Sequence, residues 1–166
     1  MTPTRTMIFS NTPAIPGRQP VPASRTTDLT GCPWHDVKSM LRHVGLRPTR
    51  QRMALGWILF AKGDRHLTAE MLYEEATKAK VPVSLATVYN TLHQFTGQGL
   101  LREVVVEAGR SYFDTNTGEH HHFYFQATGE LQDVAGSAVE VARLPEPPTG
   151  QRMERVDVVI RLRPSK

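Results

Sequence analysis

The hydrophobic pattern of the chain changes at Gly97 and Gly99, and this change restricts the possible fold more than any other feature. Before it, apolar residues recur at the three- to four-residue spacing of one helix face. After it, short runs rich in Val and Tyr alternate with turn residues, as β-strands do. A helical part followed by strands predicts an α+β fold.

Four helices and a hairpin are expected in the N-terminal part. The helices cover residues 35–44, 49–60, 68–80 and 84–97, and the strands cover residues 100–107 and 110–114. Thr49, Thr68 and Ser84 stand where an N-cap is needed, because a side-chain oxygen there can accept from a free backbone N–H. Helices followed by a two-stranded wing predict a winged helix-turn-helix domain over residues 31–114.

Residues 115–166 are expected to form a second, small α/β domain. Strands are predicted at residues 120–125, 130–134 and 155–162, with a short helix at residues 137–144. About 50 residues make a marginal fold alone, and pairing the sheet with a second copy would bury more surface. The sequence therefore predicts a dimerisation domain and a homodimer, with a higher oligomer left open.

The composition indicates a protein that stays in the cytoplasm. No apolar run approaches the roughly 18 residues of a membrane span. Residues 1–30 contain five prolines and lack the apolar core of a secretory signal, so they are expected to be a disordered leader. The single cysteine, Cys32, excludes an intramolecular disulfide, which suits a reducing compartment.

Positive charge is concentrated in the first two thirds of the chain. Residues 1–113 hold 14 Lys and Arg against 8 Asp and Glu, a net +6, whereas residues 114–166 hold 6 against 8, a net −2, which together give the formal +4. A basic part of this kind favours binding to nucleic acid or to an anionic membrane surface. An ordinary solvated basic surface gives the same balance.

The segment at residues 84–92, SLATVYNTL, has the layout of a DNA-reading helix. Short polar side chains near the helix start can contact phosphates and bases, and the apolar positions behind them anchor the helix. An exposed amphipathic helix without a ligand shows the same pattern. The candidate DNA-binding residues are Ser84 and Thr87 for phosphates, Tyr89 and Asn90 for base edges, and Arg47, Arg50 and Arg52 for the backbone or minor groove.

Three consecutive histidines lie on an expected strand, so that His120 and His122 share one face and His121 lies on the other. An imidazole pair with a carboxylate suits divalent Fe, Mn or Zn. Asp114, at the end of the preceding strand, is the natural third ligand, and His66 is the fourth. A solvated polar turn is the alternative interpretation of the triplet.

Three motifs stand in the order and spacing of one family. GLRPTRQR at residues 45–52, HLTAEMLY at 66–73 and SLATVYNTL at 84–92 resemble the ferric uptake regulator (Fur) family, over roughly residues 32–163. GCPWHD at residues 31–36 resembles the iron response regulator (Irr) branch, which responds to haem. The resemblance implies dimers on palindromic operator DNA, with Tyr89 near bases and Arg47 at the minor groove.

The resemblance also implies two metal sites. The regulatory metal lies between the domains, at positions that here are His66, Asp114, His120 and His122. Closing that hinge would fix the spacing between two recognition helices. A second site would use His121, Glu140 and Asp157, with Glu119 as a weaker candidate. The Cys-x-x-Cys zinc motif of the family is absent from the sequence, because FQAT occupies residues 125–128.

Cys32 and Pro33 form the minimal haem-regulatory dipeptide, since a thiolate can ligate ferric haem and the proline turns the chain away from the sulfur. Within GCPWHD the resemblance implies Cys32 as a haem ligand, with a second haem contact at His120, His121 and His122. It further implies that haem switches the regulator off. An inert or partly buried thiol is the alternative for Cys32.

The sequence thus predicts a haem- and iron-responsive transcription regulator, mainly a repressor of iron metabolism genes, and not an enzyme. One alternative is a peroxide- or zinc-sensing regulator of the same fold. Another is a small metal-dependent enzyme that uses the same histidines, although no obvious general base stands beside them.

Overall fold

In a computed structural model, residues 33–165 are described, so the predicted leader and Cys32 lie outside the described residues. The elements in this range are α1 (Pro33–His43), α2 (Arg50–Phe60), β1 (His66–Leu67), α3 (Ala69–Lys78), α4 (Leu85–Gly97), β2 (Arg102–Glu107), β3 (Arg110–Asp114), β4 (His120–Phe125), β5 (Glu130–Ala135) and β6 (Val159–Leu162). Helices precede the main strands, which confirms the predicted α+β architecture. No helix in this range combines the length and apolar character needed to cross a membrane.

Side-chain caps fix where three of the helices begin. The hydroxyls of Thr49, Thr68 and Ser84 each accept from the backbone N–H three residues on, at 3.2, 3.3 and 3.1 Å. Each of these bonds satisfies an amide that the first helical turn leaves free. Helices α2, α3 and α4 therefore begin where the capping pattern predicts.

The four described helices pack around one apolar core. Leu59, Leu72 and Phe95 are fully buried in it. Gly56 allows α1 to approach α2 closely, because a Cβ at this position would lie 2.8 Å from Val37 Cγ1. The core holds the inner face of α4 and leaves its outer face exposed to solvent.

Two three-stranded sheets follow the helices, with strand orders β1-β3-β2 and β5-β4-β6. Strands β2 and β3 form the predicted wing. Strand β1, which the sequence did not predict, pairs with β3 so that His66 lies opposite Asp114. In the second sheet, β4 is antiparallel to β5 and parallel to β6.

The two sheets pack against each other through a small second core. Val104, Val106, Tyr112 and Tyr124 are buried there. Arg161 Nη2 donates a hydrogen bond to Val106 O at 2.7 Å and so joins β6 to β2. The wing is therefore fixed to the C-terminal sheet as well as to the helices.

The predicted helix at residues 137–144 is wrong, and the predicted strand at residues 155–162 is too long. A single 3₁₀ turn, Gly136–Ala138, follows β5, and regular structure resumes only at Val159. Pro145 disfavours helical backbone at the preceding residue. A short isolated helix also needs an apolar partner surface, which residues 139–150 do not find here because they are almost all exposed.

Candidate functional site

Five potential metal ligands converge where the two sheets meet. Strand β1 contributes His66, β3 contributes Asp114, β4 contributes His120 and His122, and β5 contributes Asp133. One donor atom from each residue lies within 4.8 Å of the donor atoms of all the others. Within residues 33–165 this is the only group of potential ligands that lie so close together. The alternation of β4 turns two of its histidines inward together.

Asp114 lies at the centre of this cluster. Its Oδ2 is 2.8 Å from His120 Nε2, 3.3 Å from His122 Nε2 and 3.6 Å from His66 Nε2. Asp133 Oδ1 is 2.8 Å from His66 Nε2 and 3.5 Å from His120 Nε2. Donors that bind one ion at about 2.1 Å lie about 3 to 4 Å apart, depending on their angle at the ion. The observed spacing fits a single shared ion.

The second ring nitrogen of His120 is held by the backbone. His120 Nδ1 lies 3.0 Å from Gly118 O, which can only accept, and 3.4 Å from Arg102 Nη1, which can only donate. The shorter contact, with Gly118 O, favours the tautomer that has its proton on Nδ1. Nε2 then directs its lone pair at Asp114 Oδ2, 2.8 Å away, and at His122 Nε2, 3.0 Å away. Such contacts between acceptors need a cation or a proton between them.

The electrostatics favour the ligand forms of Asp114 and His122, but not that of His66. Burial raises the pKa of Asp114, but hydrogen bonds from His122 and His66 outweigh it and hold that pKa below its usual range. Burial lowers the pKa of His122. At His66 burial lowers the pKa, yet hydrogen bonding and attraction to Asp114 and Asp133 outweigh it and raise the pKa above its usual value. An ionised carboxylate and a neutral imidazole are the forms that bind a metal.

Asp133 is the member of the cluster that the sequence analysis missed. It lies on β5 directly opposite His122 in the β4–β5 ladder. Asn116 Nδ2 donates to Asp133 Oδ2 at 3.0 Å and orients the carboxylate. The sequence contained the information needed to predict Asp133 as a ligand, because the short turn between the two expected strands brings Asp133 opposite His122.

The residues suggested for a second metal site do not form a cluster of ligands within the described range. Asp157 is paired with Arg102 and Arg155, and Glu140 and Glu119 are exposed. His121 lies on the opposite face of β4 from its two neighbours. The second site stays a prediction.

The predicted haem ligands are also divided. The Nε2 atoms of His120 and His122 are turned into the buried cluster, whereas His121 lies on the other face of β4. Cys32 lies outside the described residues. The haem site therefore stays a prediction as well.

The candidate DNA-binding residues lie on α4 and just before or within α2. The exposed ones are Arg47, Arg50, Ser84, Tyr89 and Asn90, and the half-buried ones are Arg52 and Thr87. The guanidinium of Arg52 donates to Arg47 O at 2.8 Å and to Gln94 Oε1 at 3.0 Å. Arg52 thus fastens the loop before α2 to α4, while Arg47 remains exposed.

Residues 43–159 match the family described as the Ferric uptake regulator family. The chain belongs to that family. The ferric uptake regulation protein of Cupriavidus metallidurans is 33% identical over 101 residues, which cover 60% of this chain and 71% of that protein. The peroxide-responsive repressor PerR of Staphylococcus aureus is 33% identical over 93 residues, or 56% of this chain and 62% of that one.

The structure agrees with solved members of the Fur family. The ferric uptake regulator of Pseudomonas aeruginosa, determined with manganese, has a TM-score of 0.62 and 28% sequence identity, and the match covers 78% of this chain and 98% of that one. Fur-family proteins are metal-responsive transcription regulators, and so is this chain. This finding confirms the predicted family and rejects the alternative of a small metal-dependent enzyme.

Proposed function

We propose that this Fur-family chain is a dimeric, iron-responsive regulator, mainly a repressor, that binds palindromic operator DNA through α4. The observation that carries the proposal is the five-ligand cluster. His66 and Asp114 belong to the sheet that contains the wing, and His120, His122 and Asp133 belong to the second sheet. One divalent ion bound to all five would join the two sheets, so that its binding would bias the position of α4.

Fe, Mn and Zn as divalent ions all suit this donor set of imidazole nitrogens and carboxylate oxygens. A bound ion would supply the positive charge that the converging lone pairs require. Isothermal titration of the full chain with Mn²⁺ tests the site. His122→Ala and Asp133→Ala should each weaken binding at least tenfold, whereas His35→Ala, on the exposed face of α1, should not. Equal Mn²⁺ affinity in all four proteins would disprove the site.

DNA recognition is assigned to the exposed residues of α4 and to Arg47. Tyr89→Ala should lower both affinity and discrimination between operator and random DNA. Arg47→Ala should weaken binding to both DNAs alike, and should reduce the slope of log K against log salt by about 0.9 if one phosphate contact is lost. Fluorescence anisotropy at several salt concentrations measures both effects. An unchanged slope would contradict the role of Arg47.

Dimerisation is assigned to the C-terminal part of the chain. Val141, Leu144 and Met153 are large apolar side chains that stay exposed in the single chain. A second copy that covers them would remove apolar surface from water and complete the marginal second sheet. Light scattering of the purified protein should give twice the mass of one chain. Because the operator DNA that we propose as its partner lies in the cytoplasm, the proposed location of the protein is cytoplasmic.

Haem responsiveness is the finer part of the proposal, and it rests on the resemblance of residues 31–36 to the Irr branch. Cys32 would be one haem ligand, and the strand His120–Phe125 would offer the other. Titration of the full chain with ferric haem should produce a thiolate-type Soret band that Cys32→Ala abolishes.

The relative named as a peroxide-responsive repressor favours a second candidate function, peroxide sensing. Release of operator DNA by hydrogen peroxide, and not by haem, would select it.

A further inference from the structure

Arg102 is a buried cation that connects the wing to the second sheet. It lies on β2, and its side chain is only 5% exposed. The guanidinium Nη1 donates to His120 O at 3.1 Å, and Nη2 donates to Asp157. Both acceptors lie beyond the wing, one on β4 and the other in the segment before β6. A buried guanidinium is costly without such partners, so these contacts determine where Arg102 lies.

Asp157 is itself held in place by a second arginine. Arg155 Nε lies 2.8 Å from Asp157 Oδ1, and Arg155 Nη2 donates to Gly118 O at 3.0 Å. Gly118 O is the same carbonyl that accepts from His120 Nδ1. The two arginines therefore reach His120 from both sides, through its own carbonyl and through the carbonyl that orients its ring.

The position of Arg102 in the ladder extends this connection to other ligands. Arg102 lies opposite Asp114 across the β2–β3 pair, and Asp114 lies opposite His66 across the β1–β3 pair. The backbone of Arg102 thus pairs with the strand that carries Asp114, while its side chain donates to the backbone of His120 in the second sheet.

We propose that Arg102, held by Asp157, is a positioning residue of the metal centre. It fixes the backbone of His120 relative to the wing, so that the ligands from the two sheets meet at one point. This inference rests on the proposed metal site. Residues that orient ligands without touching the ion typically contribute about 10- to 100-fold in metal affinity.

Charge alone predicts a different result from positioning. Loss of the Arg102 cation would strengthen the attraction of the site for a metal cation, and loss of the Asp157 anion would weaken it. Positioning predicts that both changes weaken metal binding. The two variants alter the net charge in opposite directions, so a common direction of effect cannot come from charge.

The experiment compares the Mn²⁺ affinity of the full chain with that of Asp157→Ala, Arg102→Met and Arg102→Lys. Each variant should bind Mn²⁺ about tenfold or more weakly, the lysine variant included, because a point charge cannot reach both acceptors as the guanidinium fork does. Glu154→Ala removes an exposed carboxylate from the same segment and is the matched control for Asp157→Ala. It should leave the Mn²⁺ affinity within twofold of wild type.

Unfolding in chelator separates positioning from loss of the fold. Asp157→Ala leaves the buried Arg102 guanidinium without its carboxylate, so its unfolding midpoint in chelator should fall below that of Glu154→Ala. The Mn²⁺ affinities are therefore compared at a temperature at which chelator unfolding shows every variant to be folded. Equal Mn²⁺ affinity in Asp157→Ala and Glu154→Ala, or tighter binding by Arg102→Met, overturns the positioning role alone. Failure of the wild-type chain to bind Mn²⁺ overturns the proposed metal site and this inference with it.

Discussion

At the scale of single residues, the hydroxyl of Tyr89 is already engaged. It donates to Glu70 Oε1 at 2.5 Å, between α4 and the start of α3. This bond lowers the pKa of Glu70, so the carboxylate is ionised at neutral pH. An anion beside a side chain that we propose reads bases would repel DNA phosphates. Glu70 therefore opposes binding on the surface that we assign to DNA.

Glu70→Gln should consequently tighten operator binding by roughly two- to fivefold, since one like-charge contact in water is worth up to about 1 kcal/mol. Glutamine can still accept from Tyr89, so the geometry is retained and only the charge is lost. Anisotropy titration at low salt measures the change, with the distant, exposed Glu146→Gln as the charge-matched control. Weaker binding by Glu70→Gln would mean that the charge is needed to hold Tyr89 in its reading orientation.

At the scale of elements, local signals predicted what local contacts determine. The caps at Thr49, Thr68 and Ser84 and the alternation of β4 depend on neighbours in sequence, and these elements form as expected. The two-residue β1 exists only because β3 lies beside it, and no local pattern predicts such a strand. The helix expected at residues 137–144 does not form, because its apolar side chains have no partner surface in the single chain.

The same reasoning applies to the candidate metal site. His120, His122 and Asp114 could be inferred from strand alternation and sequence order. His66 entered as their fourth partner, at a position that the family resemblance supported. Asp133 required the register of β4 against β5, which depends on the turn between them. The sequence therefore predicted the kind of site, a histidine and carboxylate metal site, but not all of its ligands.

The N-cap of α4 allows helix stability to be separated from DNA contact. Ser84 Oγ accepts from Thr87 N at 3.1 Å, at the exposed end of the helix. Ser84→Ala should lower the free energy of unfolding by about 1 kcal/mol. Ser84→Asp keeps the cap and the stability, but it places an anion where we expect phosphate, so operator affinity should fall at least tenfold. Denaturant unfolding and anisotropy measure the two quantities. Equal operator binding by Ser84→Asp and wild type would remove Ser84 from the DNA-contacting surface.

At the scale of the whole molecule, the two sheets are joined by a small apolar core, by the hydrogen bonds of Arg102 and Arg161, and by the ligand cluster. The second core around Tyr112 and Tyr124 joins them by apolar packing, whatever ion is present. The ligand cluster joins them by charged and polar groups whose lone pairs converge. Of these junctions only the ligand cluster depends on a bound cation, so the ion is expected to change how firmly the wing and α4 are held against the C-terminal sheet.

Metal binding should therefore stabilise the whole chain. A ligand that binds only the folded state at 100 times its dissociation constant adds about 2.7 kcal/mol to the free energy of unfolding. We expect that increment when Mn²⁺ replaces chelator in urea unfolding of the wild-type chain and of His35→Ala. His122→Ala, which lacks a fully buried ligand, should lose most of it whatever its stability in chelator. The increment is the decisive quantity, because the cavity left by the substitution lowers stability with and without metal alike. An undiminished Mn²⁺ increment in His122→Ala would mean that the ion stabilises the fold from somewhere other than the cluster between the sheets.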